Sequence, residues 1–236
     1  MRLNGRLKAV GEYVPKCGMV FDIGSDHACI PVYLVRNGIC EKAVATEIKE
    51  GPLRASIGNI KRYGLEKNIE TRLGDGLDVI SEDEPGVIVI AGMGGLLICN
   101  ILRRGIQKAV NAPALVLQPM NAVKELREWL LGNGFDIEDE KLVNEGEKIY
   151  NVIRAKWTGN RERYEKIYFY IGKRLIEKKD PLLIKYLDVK KRQLLKALSQ
   201  MRKSSKADKG LEAEYSWLCR EYGRIMEEVG KDEEDL

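Results

Sequence analysis

The chain has 236 residues, 44% of them hydrophobic, which is enough for one full α/β domain with a core and a smaller appendage. No run approaches the roughly 18 to 20 apolar residues that span a bilayer, and the amino terminus lacks the apolar stretch of a secretory signal, so a cytoplasmic protein is expected rather than a membrane or exported one. The net charge of +4 is unevenly placed: residues 1–159 balance at 21 basic and 21 acidic, residues 161–210 carry 16 against 6, and residues 211–236 carry 3 against 9. An amphipathic opening helix is predicted over Leu3–Val14. After it, strands are predicted at Met19–Ile23, Ala43–Glu47, Ile69–Leu73, Val87–Ala91 and Ala114–Gln118, separated by helices at Ile30–Asn37, Gly51–Tyr63, Gly95–Ala109 and Ala122–Gly132. Such alternation with short connections builds a parallel sheet covered on both faces.

Two further strands, Phe135–Asn144 and Tyr150–Trp157, flank the turn Glu145-Gly146-Glu147-Lys148 and are expected to close the sheet as an antiparallel hairpin. Beyond a boundary near Thr158–Arg161 the pattern turns helical and charged, which divides the chain into residues 1–159 and 160–236. Asp180-Pro181 marks a helix restart, with Asp as N-cap and Pro at the first helical position. Leu183, Leu187, Leu194, Leu198 and Met201 form one apolar stripe. After a turn at Lys203–Gly210, Leu211, Tyr215, Leu218, Tyr222, Ile225 and Val229 form a heptad seam, so the two stripes are expected to pack as an antiparallel, coiled-coil-like helical hairpin. Lys190, Lys191 and Arg192, with Arg202 and Lys203, lie on its basic limb and either meet phosphates or make an ordinary solvated face.

The chemistry is concentrated in Phe21–Ala28, FDIGSDHA, which joins a strand to a helix through an acidic turn with a single glycine. A dinucleotide fold places G-x-G-x-x-G here; Ser25, Asp26 and His27 stand where its second glycine belongs, which disfavours a pyrophosphate. Carboxylates instead suit a cationic, hydroxyl-rich ligand such as S-adenosylmethionine. Glu47, ending the second strand, is a ribose ligand or a surface glutamate; Asp75 and Gly76 bound an adenine or form a plain turn. Ala91-Gly92-Met93-Gly94-Gly95 lets backbone approach the same cleft, and Gln118-Pro119-Met120-Asn121 offers amides at the next strand exit. His27 is the single histidine, which excludes a multi-histidine metal site; a cluster of Asp22, Asp26 and His27 is the remaining metal option, and no metal is expected. The five cysteines, without a C-x-x-C pair, are expected to be reduced filler.

With FDIGSDHA, ATEIKEGPL, GDGLDVI, IAGMGG and LQP in this order, the chain resembles the bacterial TrmK family of tRNA (adenine-N1) methyltransferases that modify adenine 22 in the D-arm. The resemblance implies a Rossmann-like S-adenosylmethionine domain followed by a helical one. It implies cofactor contacts from Asp22, Gly24, Ser25, His27, Glu47, Asp75, Gly76, Gly92 and Met93, with Asp26 the best catalytic candidate, and tRNA as partner. Gln118 and Pro119 are expected on the substrate side, and the sequence leaves the oligomeric state open, with a monomer slightly favoured. One departure is that Met120 stands where the family reads asparagine, with Asn121 one place later. Two other readings stay open: a methyltransferase acting on a small molecule or protein, with the hairpin as lid, and a non-catalytic RNA-binding adaptor.

Overall fold

The structure, a computed structural model, describes residues 2–161, 163–203 and 208–234. In chain order the first unit holds α1 (Gly5–Tyr13), β1 (Cys17–Ile23), α2 (Cys29–Arg36), β2 (Cys40–Glu47), α3 (Glu50–Arg62), β3 (Ile69–Leu73), β4 (Val87–Met93), α4 (Gly95–Arg104), α5 (Ile106–Asn111), β5 (Leu115–Pro119), α6 (Val123–Gly132), β6 (Phe135–Glu145) and β7 (Lys148–Trp157). The strands make one sheet in the order β3-β2-β1-β4-β5-β7-β6, with β1 to β5 parallel and β7 antiparallel to both neighbours. The closing hairpin is thus present as the Gly146 turn predicts.

Side chains alternate across the sheet, and both faces are apolar. Val20, Ala43, Ala45, Val87, Val89 and Val116 share a buried cluster with Val10 of α1, Ile30 and Leu34 of α2 and Ile60 of α3. The other registers, including Phe21, Ile88, Ile90, Leu115 and Leu117, are equally buried, and α4 contacts β4 and β5. Strand order reverses between β1 and β4, whose carboxyl ends therefore diverge into the crevice where open α/β sheets hold ligands. Arg127 of α6 is wholly buried, donating to Glu140 Oε1 of β6 at 2.7 Å and to Asn151 Oδ1 of β7 at 2.9 Å, which ties the helix to the hairpin.

The expected helix Gly95–Ala109 is two helices, α4 and α5, broken at Gly105. A Cβ there would lie 2.6 Å from Leu77 Cβ, so the approach of Leu77 fixes the break. Leu77 belongs to a short 3-10 helix, Gly76–Val79, that follows β3.

The chain divides into compact units at residues 1–164 and 165–236. The second begins with two short helices, α7 (Ile167–Tyr170) and α8 (Lys173–Glu177), and continues with α9 (Leu183–Met201) and α10 (Lys209–Glu234). Asp180 Oδ1 accepts the Leu182 amide at 3.0 Å, so the Asp-Pro pair starts a turn and the helix proper begins two residues later than the restart. Leu183, Leu187 and Leu198 of α9 and Leu218, Tyr222, Ile225 and Val229 of α10 are buried, and the two helices pack together. Leu211 departs from the expected seam and is exposed. The predicted turn at Lys203–Gly210 falls largely on residues 204–207, outside the described residues. Among the described residues no helix is long and apolar enough to cross a membrane.

Candidate active site

After β1, Gly24 takes φ +68°, and Asp26, His27 and Ala28 follow with φ of 41°, 68° and 52°. Three consecutive left-handed non-glycine residues are strained, and such a turn persists only where its surroundings over-determine it. Here β2 and α3 supply the constraint. The Ser25 amide donates to Thr46 O at 2.9 Å, the Gly24 amide to Thr46 Oγ1 at 3.3 Å, and the Asp26 amide to Glu47 Oε1 at 2.7 Å. Asn59 of α3 donates to His27 O at 2.7 Å. Gly24 is required by its left-handed backbone; a Cβ there would meet only the mobile end of Met93, Cε at 2.4 Å, which can swing aside.

Asp22 and Glu47 are buried at the ends of their strands. Burial pushes Asp22 up to about 7, the Ser25 hydroxyl pulls it back by donating to Oδ2 at 2.5 Å, and the charge of Glu47 adds to the rise. Glu47 is also raised, first by burial, while its bond from the Asp26 amide opposes the rise. Because Glu47 engages Asp26 through Oε1, its second oxygen is left to accept from a hydroxyl. Asp26 and His27 expose 85% and 60% of their side chains, with Nε2 of the imidazole 3.6 Å from the Asp26 carboxylate. Asp26 therefore faces outward over the cleft while its own amide is fixed from beneath.

The opposite wall comes from β4 and β5. The sheet register slips between Ala91 and Met93, and Gly92, at φ +79°, donates its amide to Gln118 Oε1 at 3.1 Å. The same oxygen accepts from Arg6 Nη1 at 3.1 Å, and Gln118 Nε2 donates to Pro119 O at 2.9 Å. Gln118 is thus buried with both ends engaged, and Pro119 is buried beside it; they brace this wall rather than present groups to solvent. An open cleft of about 200 Å³ results, lined by Arg6, Asp22, Gly24, Asp26, Gly92 and Met93 among others.

Arg6 was not legible as a site residue: it stands alone in the opening helix without a motif. The structure places it as the basic member of the cleft lining, oriented by Gln118 and by an ion pair with Glu145 at 3.1 Å. Asp75 and Gly76 occupy the neighbouring loop after β3, but Asp75 Oδ2 holds Arg104 of α4 at 2.8 Å, and the guanidinium lowers its acidity range below the ordinary one. Lys190, Lys191 and Arg192 lie on α9 of the second unit, where Lys190 sits 5.5 Å from the Tyr186 ring centroid and Arg192 pairs with Asp188. Among the described residues no group of three or more His, Cys, Asp and Glu side chains is arranged to hold a metal ion.

This donor set fits S-adenosylmethionine: carboxylates match ammonium, sulfonium and ribose hydroxyls, Arg6 matches a carboxylate, and the bare Gly24 and Gly92 leave room for close approach. A family model described as a methyltransferase domain matches residues 3–153. A Bacillus subtilis (strain 168) relative, a tRNA (adenine(22)-N(1))-methyltransferase, is 40% identical over 162 residues, covering 69% of this chain and 68% of that protein. The crystal structure of the B. subtilis m1A22 tRNA methyltransferase TrmK superposes with a TM-score of 0.82 at 31% identity, over 97% of this chain and 98% of that one. The chain belongs to the TrmK family. M. capricolum TrmK, in complex with the natural cofactor product S-adenosyl-homocysteine, superposes at 0.78 with 25% identity, over 98% of this chain and 99% of that one. The TrmK architecture therefore extends through the helical region, where the family model and the sequence motifs stop.

Proposed function

We infer that this chain transfers a methyl group from S-adenosylmethionine to N1 of an adenine in tRNA, the adenine at position 22 of the D-arm. The observation that carries the reading is the acidic single-glycine turn, locked from beneath by Glu47, at the switch point of a TrmK-family sheet. Family membership favours a tRNA acceptor over the small-molecule, protein and adaptor readings. Residues 1–159 act as the catalytic domain and residues 160–236 as the tRNA grip, with Lys190, Lys191 and Arg192 meeting phosphates. The enzyme works in the cytoplasm as a monomer, each copy carrying a whole cleft.

S-adenosylmethionine supplies an electrophilic methyl on sulfur, which the neutral N1 lone pair can attack without prior deprotonation. The protein's task is then mainly positioning. Glu47 holds the ribose hydroxyls through its second oxygen, Asp22 and Ser25 receive the ammonium end, and Arg6 with the Gly92 turn receives the carboxylate. His27, Asp75, Gly76 and Met93 bound the remainder. Asp26 is the catalytic residue: its outward carboxylate accepts the adenine N6 hydrogen and stabilises the positive charge that N1 methylation leaves on the ring. Asp26→Asn preserves the backbone amide that bonds Glu47, so S-adenosylmethionine affinity should hold while kcat on tRNA falls about 100-fold. Full turnover at unchanged affinity, measured by single-turnover methylation and calorimetry, would remove Asp26 from the reaction.

A further inference from the structure

Helix α4 exposes what helices usually hide. Its inward positions, Ile98, Cys99, Ile101 and Leu102, are buried, whereas Leu96 and Leu97 in its first turn are 59% and 52% exposed. Met120, after β5, is 40% exposed. These residues belong to one rim. The Met120 amide donates to Met93 O at 2.8 Å, and the Gly95 amide donates to Asn121 O at 3.1 Å. A Cβ on Gly95 would lie 2.3 Å from Ala122 O, so the start of α4 is seated flush against the loop after β5. Met93 also lines the cleft, so this apolar rim adjoins the wall formed by β4 and β5.

The exposed face of α4 changes character along its length. Leu96 is followed by Asn100, Arg103 and Arg104 at i+4, i+7 and i+8 of a helical stripe, with Leu97 beside it at i+1 and itself three and seven residues before Asn100 and Arg104. Arg103 is held by Asn100 Oδ1 at 2.8 Å, and it lies about 9 Å beyond Leu97 along the helix axis at 1.5 Å per residue. An apolar tip beside the cleft with a cation further out matches a nucleic acid strand, whose bases meet the tip and whose phosphates meet the arginine. It also answers a physical requirement: a base attacked at N1 must leave its stack, and the vacated space costs free energy unless something fills it.

Resting on the tRNA reading above, we propose that Leu96, Leu97 and Met120 form a wedge that takes the stacking place of the target adenine and holds its flanking bases while the adenine lies in the cleft. They are positioning residues; the chemistry stays with the cleft.

The test uses the triple variant Leu96→Ala, Leu97→Ala, Met120→Ala in the full chain, with two unmodified tRNAs: one natively folded, and one carrying D-arm mismatches that leave the adenine unstacked. Leu96 and Leu97 are exposed, and although Gln118 Nε2 reaches Met120 Sδ at 3.7 Å, that amide keeps its shorter bond to Pro119 O at 2.9 Å, so S-adenosylmethionine affinity and melting temperature should match the wild type. The expected result is a loss of about 100-fold in kcat/KM on the folded tRNA, with activity on the mismatched tRNA within about 3-fold of the wild type. With 2-aminopurine at the target position, wild-type binding should raise the fluorescence and variant binding should not. An equal loss on both tRNAs, no loss on either, or an unchanged fluorescence rise in the variant would overturn the wedge. Wild-type transfer to neither tRNA would instead overturn the tRNA reading on which the wedge rests.

Discussion

Arg127→Met should destabilise the protein by about 3 to 5 kcal/mol, the usual cost of removing one partner from a buried ion pair. Arg127 is fully buried and Glu140 is 1% exposed, so the substitution strands a carboxylate between α6 and the closing hairpin. Asn151 Oδ1 loses its donor at the same time, and Glu140 Oε2 already has no hydrogen-bond partner. For a chain of this size the loss corresponds to a fall in melting temperature of about 10 °C, measurable by calorimetry. The double variant Arg127→Met, Glu140→Leu replaces the pair by apolar groups and should recover much of that fall, since the stranded charge rather than the missing contact carries the cost. Equal destabilisation of the single and double variants would contradict this account.

Asp22→Asn should weaken S-adenosylmethionine binding about 10- to 100-fold near pH 8, the scale of one hydrogen bond to a charged group. It should also remove a pH dependence. In the free protein, burial raises the Asp22 carboxyl from 3.8 to about 7, so the folded chain keeps a proton that the unfolded chain releases. The folded state binds more protons across that window; stability of the free protein therefore falls as pH rises from about 4 to about 7 and levels off above it. A cationic ammonium favours the ionised carboxylate, so affinity for the cofactor should rise over the upper part of the same range. Titration calorimetry at several pH values reads both effects. Binding that is flat in pH in the wild type, or unchanged in Asp22→Asn, would contradict the assigned role.

Sheet and cleft were legible in the sequence to different depths. The strands were legible because a doubly covered parallel sheet needs near-continuous apolar runs, and the turn Glu145–Lys148 announced the closing hairpin. The acidic turn after β1 was legible as chemistry, because one glycine among carboxylates suits a cation and not a pyrophosphate. Contacts between distant segments were not. Arg6 and Gln118 are separated by 112 positions, and no local pattern pairs them. Gln118, a polar residue at a strand exit, has the sequence appearance of a substrate ligand, yet the fold turns it inward as a brace. Asp75 likewise meets Arg104 across 29 positions, and the break at Gly105 depends on Leu77 from another segment. Local periodicity cannot report such tertiary choices.

The most direct test of the central claim is methyl transfer from labelled S-adenosylmethionine to unmodified tRNA, followed by nucleoside analysis and mapping of the modified position. The account predicts N1-methyladenosine at position 22 of the D-arm, and no incorporation when that adenine is replaced by guanine. Methylation at another atom or position, or none despite demonstrated cofactor binding and correctly folded tRNA, would contradict it.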